Sequence, residues 1–152
     1  MRPTLPMPAS ATEFFGFSHR PFRGTPDPAD YVVVESLNQE VQRLAAAAAQ
    51  GDGIAVLTAA PGAGKTLACQ RLQMELASRF EAVLISSSGF ATRRALLQAV
   101  LFALGQSYES SSEQELRLNI LNYARTLAAT SGGIVLIVDE AHLLNTRLLE
   151  EL

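Results

Sequence analysis

Two short stretches of this sequence hold residue types whose spacing could do chemistry. The first is Ala59-Ala60-Pro61-Gly62-Ala63-Gly64-Lys65-Thr66, set between an apolar run and a helical pattern. Gly62 and Gly64 let the backbone curl until successive N–H groups point at one phosphate. A helix opening at that point adds the positive end of its dipole. Lys65 brings a compact ammonium to the β- and γ-phosphates, and Thr66 can offer its hydroxyl to Mg2+. This is the phosphate-binding loop pattern, with Ala59 where the first glycine usually stands. That position needs only a small residue to leave the strand. Lys65 is also the only lysine of the chain, the other eleven basic residues being arginine. A plain Gly-rich turn would not explain that choice.

The second stretch is Val138-Asp139-Glu140, 74 residues beyond Lys65 when counted to Asp139. An aspartate at the carboxyl tip of a parallel strand faces the crevice where ligands bind in such sheets. Asp139 can hold Mg2+, and Glu140 is placed to accept a proton from an attacking water. An apolar strand ending in Asp-Glu is weak evidence alone, since acidic residues also favour the first turn of a helix. Joined to the phosphate loop, it is strong. The pair belongs to NTPases whose catalytic glutamate follows the Walker B aspartate.

The elements that must position these residues follow from periodicity. Residues 30–50 repeat apolar side chains every three or four positions, ending at Gly51-Asp52-Gly53. Ile54–Thr58 reads as a buried strand, and a helix is expected over 64–79. Ala82–Ser86 and Ile134–Val138 read as two further strands. Helices are expected at 90–105 and 112–129, the latter opened by a possible capping box of Ser112 and Glu115. The chain turns helical again after Asp139. Strands apolar on both faces that alternate with helices mean an α/β domain with a parallel sheet covered on both sides. Residues 1–13 are Pro-rich and expected to be disordered or loosely packed. The aromatics Phe14, Phe15, Phe17 and Phe22 lie among turn-formers and suggest an irregular segment pinned by its rings.

Composition narrows the classes. The 152 residues are 48% apolar and 18% charged, which excludes a disordered tail protein. A net charge of −3 and a pI near 5.4 argue against a domain-wide basic surface for nucleic acid. The single cysteine, Cys69, excludes a disulfide framework and a Cys-rich zinc site, and reads as a small core residue. No apolar run approaches the ~18 residues needed to cross a bilayer, and the N-terminus does not read as a secretory signal. The default location is the cytoplasm. Weaker signals have bland alternatives: His142 as a helicase-type box or a first-turn residue, Arg93-Arg94 as a phosphate contact or a solvated face, Ser86-Ser87-Ser88 as site lining or a loop.

Phe15-Gly16-Phe17, Pro21-Phe22 and Thr25-Pro26-Asp27-Pro28, followed by a helix, the phosphate loop and Asp139-Glu140-Ala141-His142, resemble the general secretion pathway A (ExeA-like) ATPases. Those are AAA+ type P-loop ATPases, with transposition helper ATPases as relatives. The likeness covers about residues 14–152. It implies MgATP as ligand, with Ala60 to Thr66 around the phosphates, Thr66 and Asp139 on Mg2+, and Lys65 and Glu140 as catalytic residues. It implies work in a homo-oligomer, and Phe22 or Tyr31 against adenine. It also implies a further strand between the first and third, an arginine finger and a helical lid, none of which is present by Leu152. The expectation is therefore an incomplete AAA+ sheet, the N-terminal part of a longer ATPase, with membrane association through a missing C-terminal region left open. Three roles also stay open: a secretion-linked ATPase, a DNA-associated ATPase of transposition or replication, and a non-catalytic relic.

Overall fold

The structure is a computed structural model that describes residues 10–18, 20, 32, 34–87, 89–109 and 112–152. The chain divides into two units, Met1–Tyr31 and Val32–Leu152. In the first, α1 (Ala11–Phe15) opens on Ser10, whose hydroxyl accepts the Glu13 N–H at 3.2 Å. Sequence reasoning expected no regular element there. Ser10 caps the turn and Gly16 closes it, so a short helix forms where only irregular chain was expected. The rings of Phe14 and Phe15 meet edge to face at 4.9 Å, and Phe15 and Phe17 lie 5.8 Å apart. Phe22, Thr25-Pro26-Asp27-Pro28 and Tyr31 lie outside the described residues, as do residues 1–9.

The second unit is built from α2 (Glu35–Gln50), α3 (Lys65–Leu76), β1 (Glu81–Ser86), α4 (Arg93–Ala103), α5 (Glu113–Thr130), β2 (Ile134–Asp139), a 3-10 turn (Ala141–Leu143) and α6 (Thr146–Glu151). β1 and β2 pair in parallel, with Val83 opposite Leu136 and Ser86 opposite Asp139. Side chains alternate across a strand, so each face takes every second residue. Val83 and Ile85, with Leu136 and Val138 beside them, pack against Leu96, Val100 and Leu104 of the α4 region and Leu148 of α6. Leu84, Val135 and Ile137 face the other way, onto Val41 of α2 and Ala68, Leu72 and Leu76 of α3. The apolar runs are thus buried on both faces, the arrangement their composition implies. A third cluster, Leu97, Leu101 and Leu116, joins α4 to α5.

The helices follow the sequence closely. Gly51 closes α2 by donating its N–H to Ala47 and Ala48 carbonyls. The capping box of α5 is complete: the Ser112 hydroxyl accepts the Glu115 N–H at 3.3 Å, and Glu115 Oε2 accepts the Ser112 N–H at 2.6 Å. That bond lowers the Glu115 pKa below the usual carboxylate range.

One expected element is absent. Residues 54–58 form no strand, and the sheet among the described residues has only β1 and β2. Ile54 is 88% and Val56 77% exposed, while Leu57 packs against the α2–α3 cluster. β-branched composition makes a segment fit a sheet but does not supply a partner. The resemblance places another strand between this segment and β2. No such strand occurs among the described residues, so the backbone at 54–58 has nothing to pair with.

The turn into β2 is close-packed. Gly132 donates its N–H to the Arg79 carbonyl at 2.9 Å, and Glu81 donates to the Gly133 carbonyl at 2.9 Å. A Cβ at Gly132 would sit 2.6 Å from that Arg79 oxygen and 2.7 Å from the Phe80 ring. The oxygen is backbone and cannot swing away, so Gly132→Ala is expected to destabilise the domain by about 1–3 kcal/mol. A lowered urea midpoint with an unchanged slope would show it.

Candidate functional site

Gly62 (φ 78°) and Gly64 (φ 86°) both occupy the left-handed region, the conformations the loop motif requires of its glycines. Ala63 donates its N–H to the Ala60 carbonyl at 3.2 Å, which rounds the loop. α3 starts at Lys65 directly after it. Four helices (α1, α4, α5 and α6) have their first turn closed by a side chain: Ser10, Thr92, Ser112 and Asn145. α3 has none, because its cap position is Gly64. Its leading N–H groups are left to an outside acceptor, and an anion suits both those donors and the helix dipole.

Lys65 Nζ donates to the carbonyls of Ala59 at 3.0 Å and Ala60 at 3.1 Å, which holds the ammonium at the loop. The next residue makes the decisive link. Thr66 Oγ1 donates to Asp139 Oδ2 at 2.7 Å, so residues 73 apart in sequence touch. Alternation explains the meeting, since Asp139 follows Val135 and Ile137 on the β2 face that packs against α3. Asp139 is 9% exposed, and its Oδ1 accepts the Glu140 N–H at 2.9 Å.

Glu140 is the only non-glycine residue with positive φ among those described, at φ 55° and ψ 36°. A left-handed step of this kind costs a residue with a Cβ roughly 1–2 kcal/mol. Its carbonyl accepts from the Leu143 N–H at 2.9 Å and from the Ser87 hydroxyl. Its carboxylate lies 3.2 Å from His142 Nδ1. Among the described residues no group of three or more His, Cys, Asp or Glu could hold a metal ion. A cation here would find Thr66 and Asp139 as neighbouring protein donors, with its other ligands coming from outside the chain. The donor set, one hydroxyl and one carboxylate in contact, fits an oxygen-loving cation that keeps its waters, as Mg2+ does.

The structure brings together most of the residues expected from the sequence: Ala60, Pro61, Gly62, Ala63, Gly64, Lys65 and Thr66 on one loop, with Asp139 against Thr66. Arg93 is engaged elsewhere, its Nε 3.8 Å from Glu151 Oε2, and Arg117 grips the same carboxylate at 2.8 and 2.5 Å. Those contacts raise the Arg117 pKa further. A cavity of about 330 Å3 lies over β1, between Gln73 of α3 and Phe102 of α4, and none of residues 59–66 lines it.

A family model for an AAA domain matches residues 47–152, which contain the loop, Asp139 and Glu140. The chain belongs to the AAA domain family. The AAA chain is also 30% identical over 135 residues to general secretion pathway protein A of Aeromonas hydrophila. The match takes in 88% of this chain and 24% of that protein, so the chain spans about a quarter of its relative's length. No solved structure gave a significant match. Membership in the family carries the P-loop NTPase fold, of which the two-stranded parallel sheet and its helices form a part. No described helix is long and apolar enough to cross a membrane.

Cys69 sits in the AAA chain's α3, one turn beyond Lys65. Burial first, and the nearby Asp139 charge second, push its thiol up to about 11. Its contribution to stability is present below the ordinary thiol pKa and is lost as pH rises toward about 11. The thiolate is the nucleophile that attacks a thiol reagent, so at pH 8 the folded protein should react about a hundredfold more slowly than the urea-unfolded chain. The rate should rise with pH up to about 11. Equal rates folded and unfolded would contradict the burial of Cys69.

Proposed function

We propose that this AAA domain binds MgATP at the Ala60–Thr66 loop and that the complete protein hydrolyses it. The Thr66–Asp139 hydrogen bond carries the reading, because it sets the phosphate loop and the acidic strand tip at one place. The leading N–H groups of α3 and the Lys65 ammonium take the phosphate oxygens. Thr66 and Asp139 hold Mg2+, which when bound offsets the phosphate charge. The Glu140 carboxylate accepts a proton from the water that attacks the γ-phosphorus, as the bond to the ADP oxygen breaks. The likeness to a general secretion pathway protein favours a secretion-linked role, with hydrolysis coupled to conformational work in a homo-oligomer.

The test is a pair of variants measured by binding of a fluorescent ATP analogue with Mg2+. Lys65→Ala should abolish binding, whereas Glu140→Gln should leave it intact and stop hydrolysis. Unchanged affinity in Lys65→Ala would sink the phosphate-loop assignment. Residues 1–152 alone should turn over below ~0.1 per second, since an arginine finger is worth about 10³–10⁵ in rate where one is used.

A further inference from the structure

The cavity over β1 stands apart from the phosphate loop, and its floor is a strand edge. Among the described residues β1 pairs with β2 on one side only. Along a paired strand, alternate residues turn their N–H and C=O to the neighbour, and those between turn theirs away. The N–H groups of Glu81 and Ser87 go to β2, onto the Gly133 and Asp139 carbonyls. Ala82, Leu84 and Ser86 therefore send their backbone groups to the outer edge. What meets the first of them is a carboxamide: Gln73 Nε2 donates to the Ala82 carbonyl at 3.0 Å. Two residues on, no described group bonds the N–H or C=O of Leu84, which lines the cavity.

The walls suit a strand laid along this edge. α3 stands on one side with Gln73, and α4 on the other with Ala99, Phe102 and Ala103. Ala99 and Ala103 are one helical turn apart, and their short side chains leave the slot open. Phe102 is 68% exposed, with its ring edge to face against Tyr108 at 5.7 Å. At about 330 Å3 the space lies at the low end of the ~300–1,000 Å3 of ligand pockets, enough for a few side chains. No residue lining it is ionisable, so a charge brought into it would go unpaired. The edge also lacks the usual guards against pairing. Glu81–Ser86 holds no proline and no lysine, and its one charge is at its start.

We propose that the outer edge of β1 docks an extended, uncharged segment of a partner protein. The segment adds as a strand beside β1 and places apolar side chains in the slot between α3 and α4. Gln73 identifies the chemistry of the occupant, because the protein already seats one amide on this edge. Leu84 presents the same acceptor, and a donor beside it, with no amide in place. Main-chain bonds to Leu84 hold the segment, and the neutral slot selects its side chains. Gln73 closes the Ala82 end, so the added strand lies from Leu84 toward Ser86.

The experiment screens the full-length protein against a phage library of short random peptides. The enriched peptide is then made with capped ends, and with each backbone amide N-methylated in turn. Enriched sequences should be uncharged, with apolar residues at alternate positions. Methylation should weaken binding about tenfold or more at the amide that faces Leu84, and little at the amides on either side of it. Exchange of the Leu84 amide hydrogen should slow when the peptide binds. Ala99→Trp, which fills the slot, and Phe102→Asp, which charges its wall, should each weaken the peptide about tenfold or more. No enrichment, charged winners, indifference to N-methylation or unchanged Leu84 exchange each overturns the proposal, as does full binding by both variants. If the protein self-associates and Phe102→Asp makes it monomeric, a second copy covers the edge and the proposal falls. The N-methyl series and the Leu84 exchange use the wild type, so they decide the matter even where a variant fails to fold.

Discussion

The bond from Thr66 to Asp139 sets the distance between the opening of α3 and the tip of β2, and the packing of the domain serves that distance. β2 turns Val135 and Ile137 onto the α2–α3 side, so the next residue in phase is Asp139. A register slip of one residue would send the carboxylate to the α4–α6 face, against the hydrophobic cluster of Leu96, Val100, Leu144 and Leu148. α3 answers with Ala68, Leu72 and Leu76 on its inner side, which press its first turn against the same strand. The placement of Asp139 at the strand tip is thus a consequence of apolar residues deeper in the sheet.

The helix starts show the same economy from another direction. Four helices open on Ser10, Thr92, Ser112 or Asn145, which satisfies a leading N–H, while α2 opens on Val34 with no side-chain cap. A side-chain cap at α3 would compete with an anion for those donors, and there the chain places Gly64. A glycine at this position is weaker than a good side-chain cap by only about a few tenths of a kcal/mol. That loss is tolerable at α3 because Leu72, Leu76 and Ala68 bury against Val41 and Ile137. Gly64 leaves the donors at the start of α3 open at little cost in local stability.

Much of this was legible because it is written in local rules. The loop motif, the Ser112–Glu115 box and the two runs ending in Ser86 and Asp139 each depend on residues within a few positions of one another. Ile54–Thr58 failed because a strand is a property of two segments, and Val56 and Ile54 carry no information about whether a neighbour exists. The helix at Ala11–Phe15 was hidden by the aromatics and prolines around it, although Ser10 and Glu13 stood at capping distance. The left-handed Glu140 had no sequence mark, since Gly or Asn would be the usual sign. Ser87 was visible only as the middle of a serine run. What singles it out, burial against two carbonyls 52 and 53 residues away, arises from strand pairing.

The geometry also accounts for the one lysine in an arginine-rich chain. Nζ of Lys65 reaches two loop carbonyls, at 3.0 and 3.1 Å, that belong to consecutive residues. An ammonium has three donors arranged about one point, so it can keep two on the loop and turn the third to a phosphate. A guanidinium spreads its five donors over a rigid plane and prefers two parallel acceptors, which suits a carboxylate such as Glu151. Arg117 makes that bidentate pair with Glu151. Arg117 thus meets the Glu151 carboxylate as a fork, whereas Lys65 sets its charge at a point.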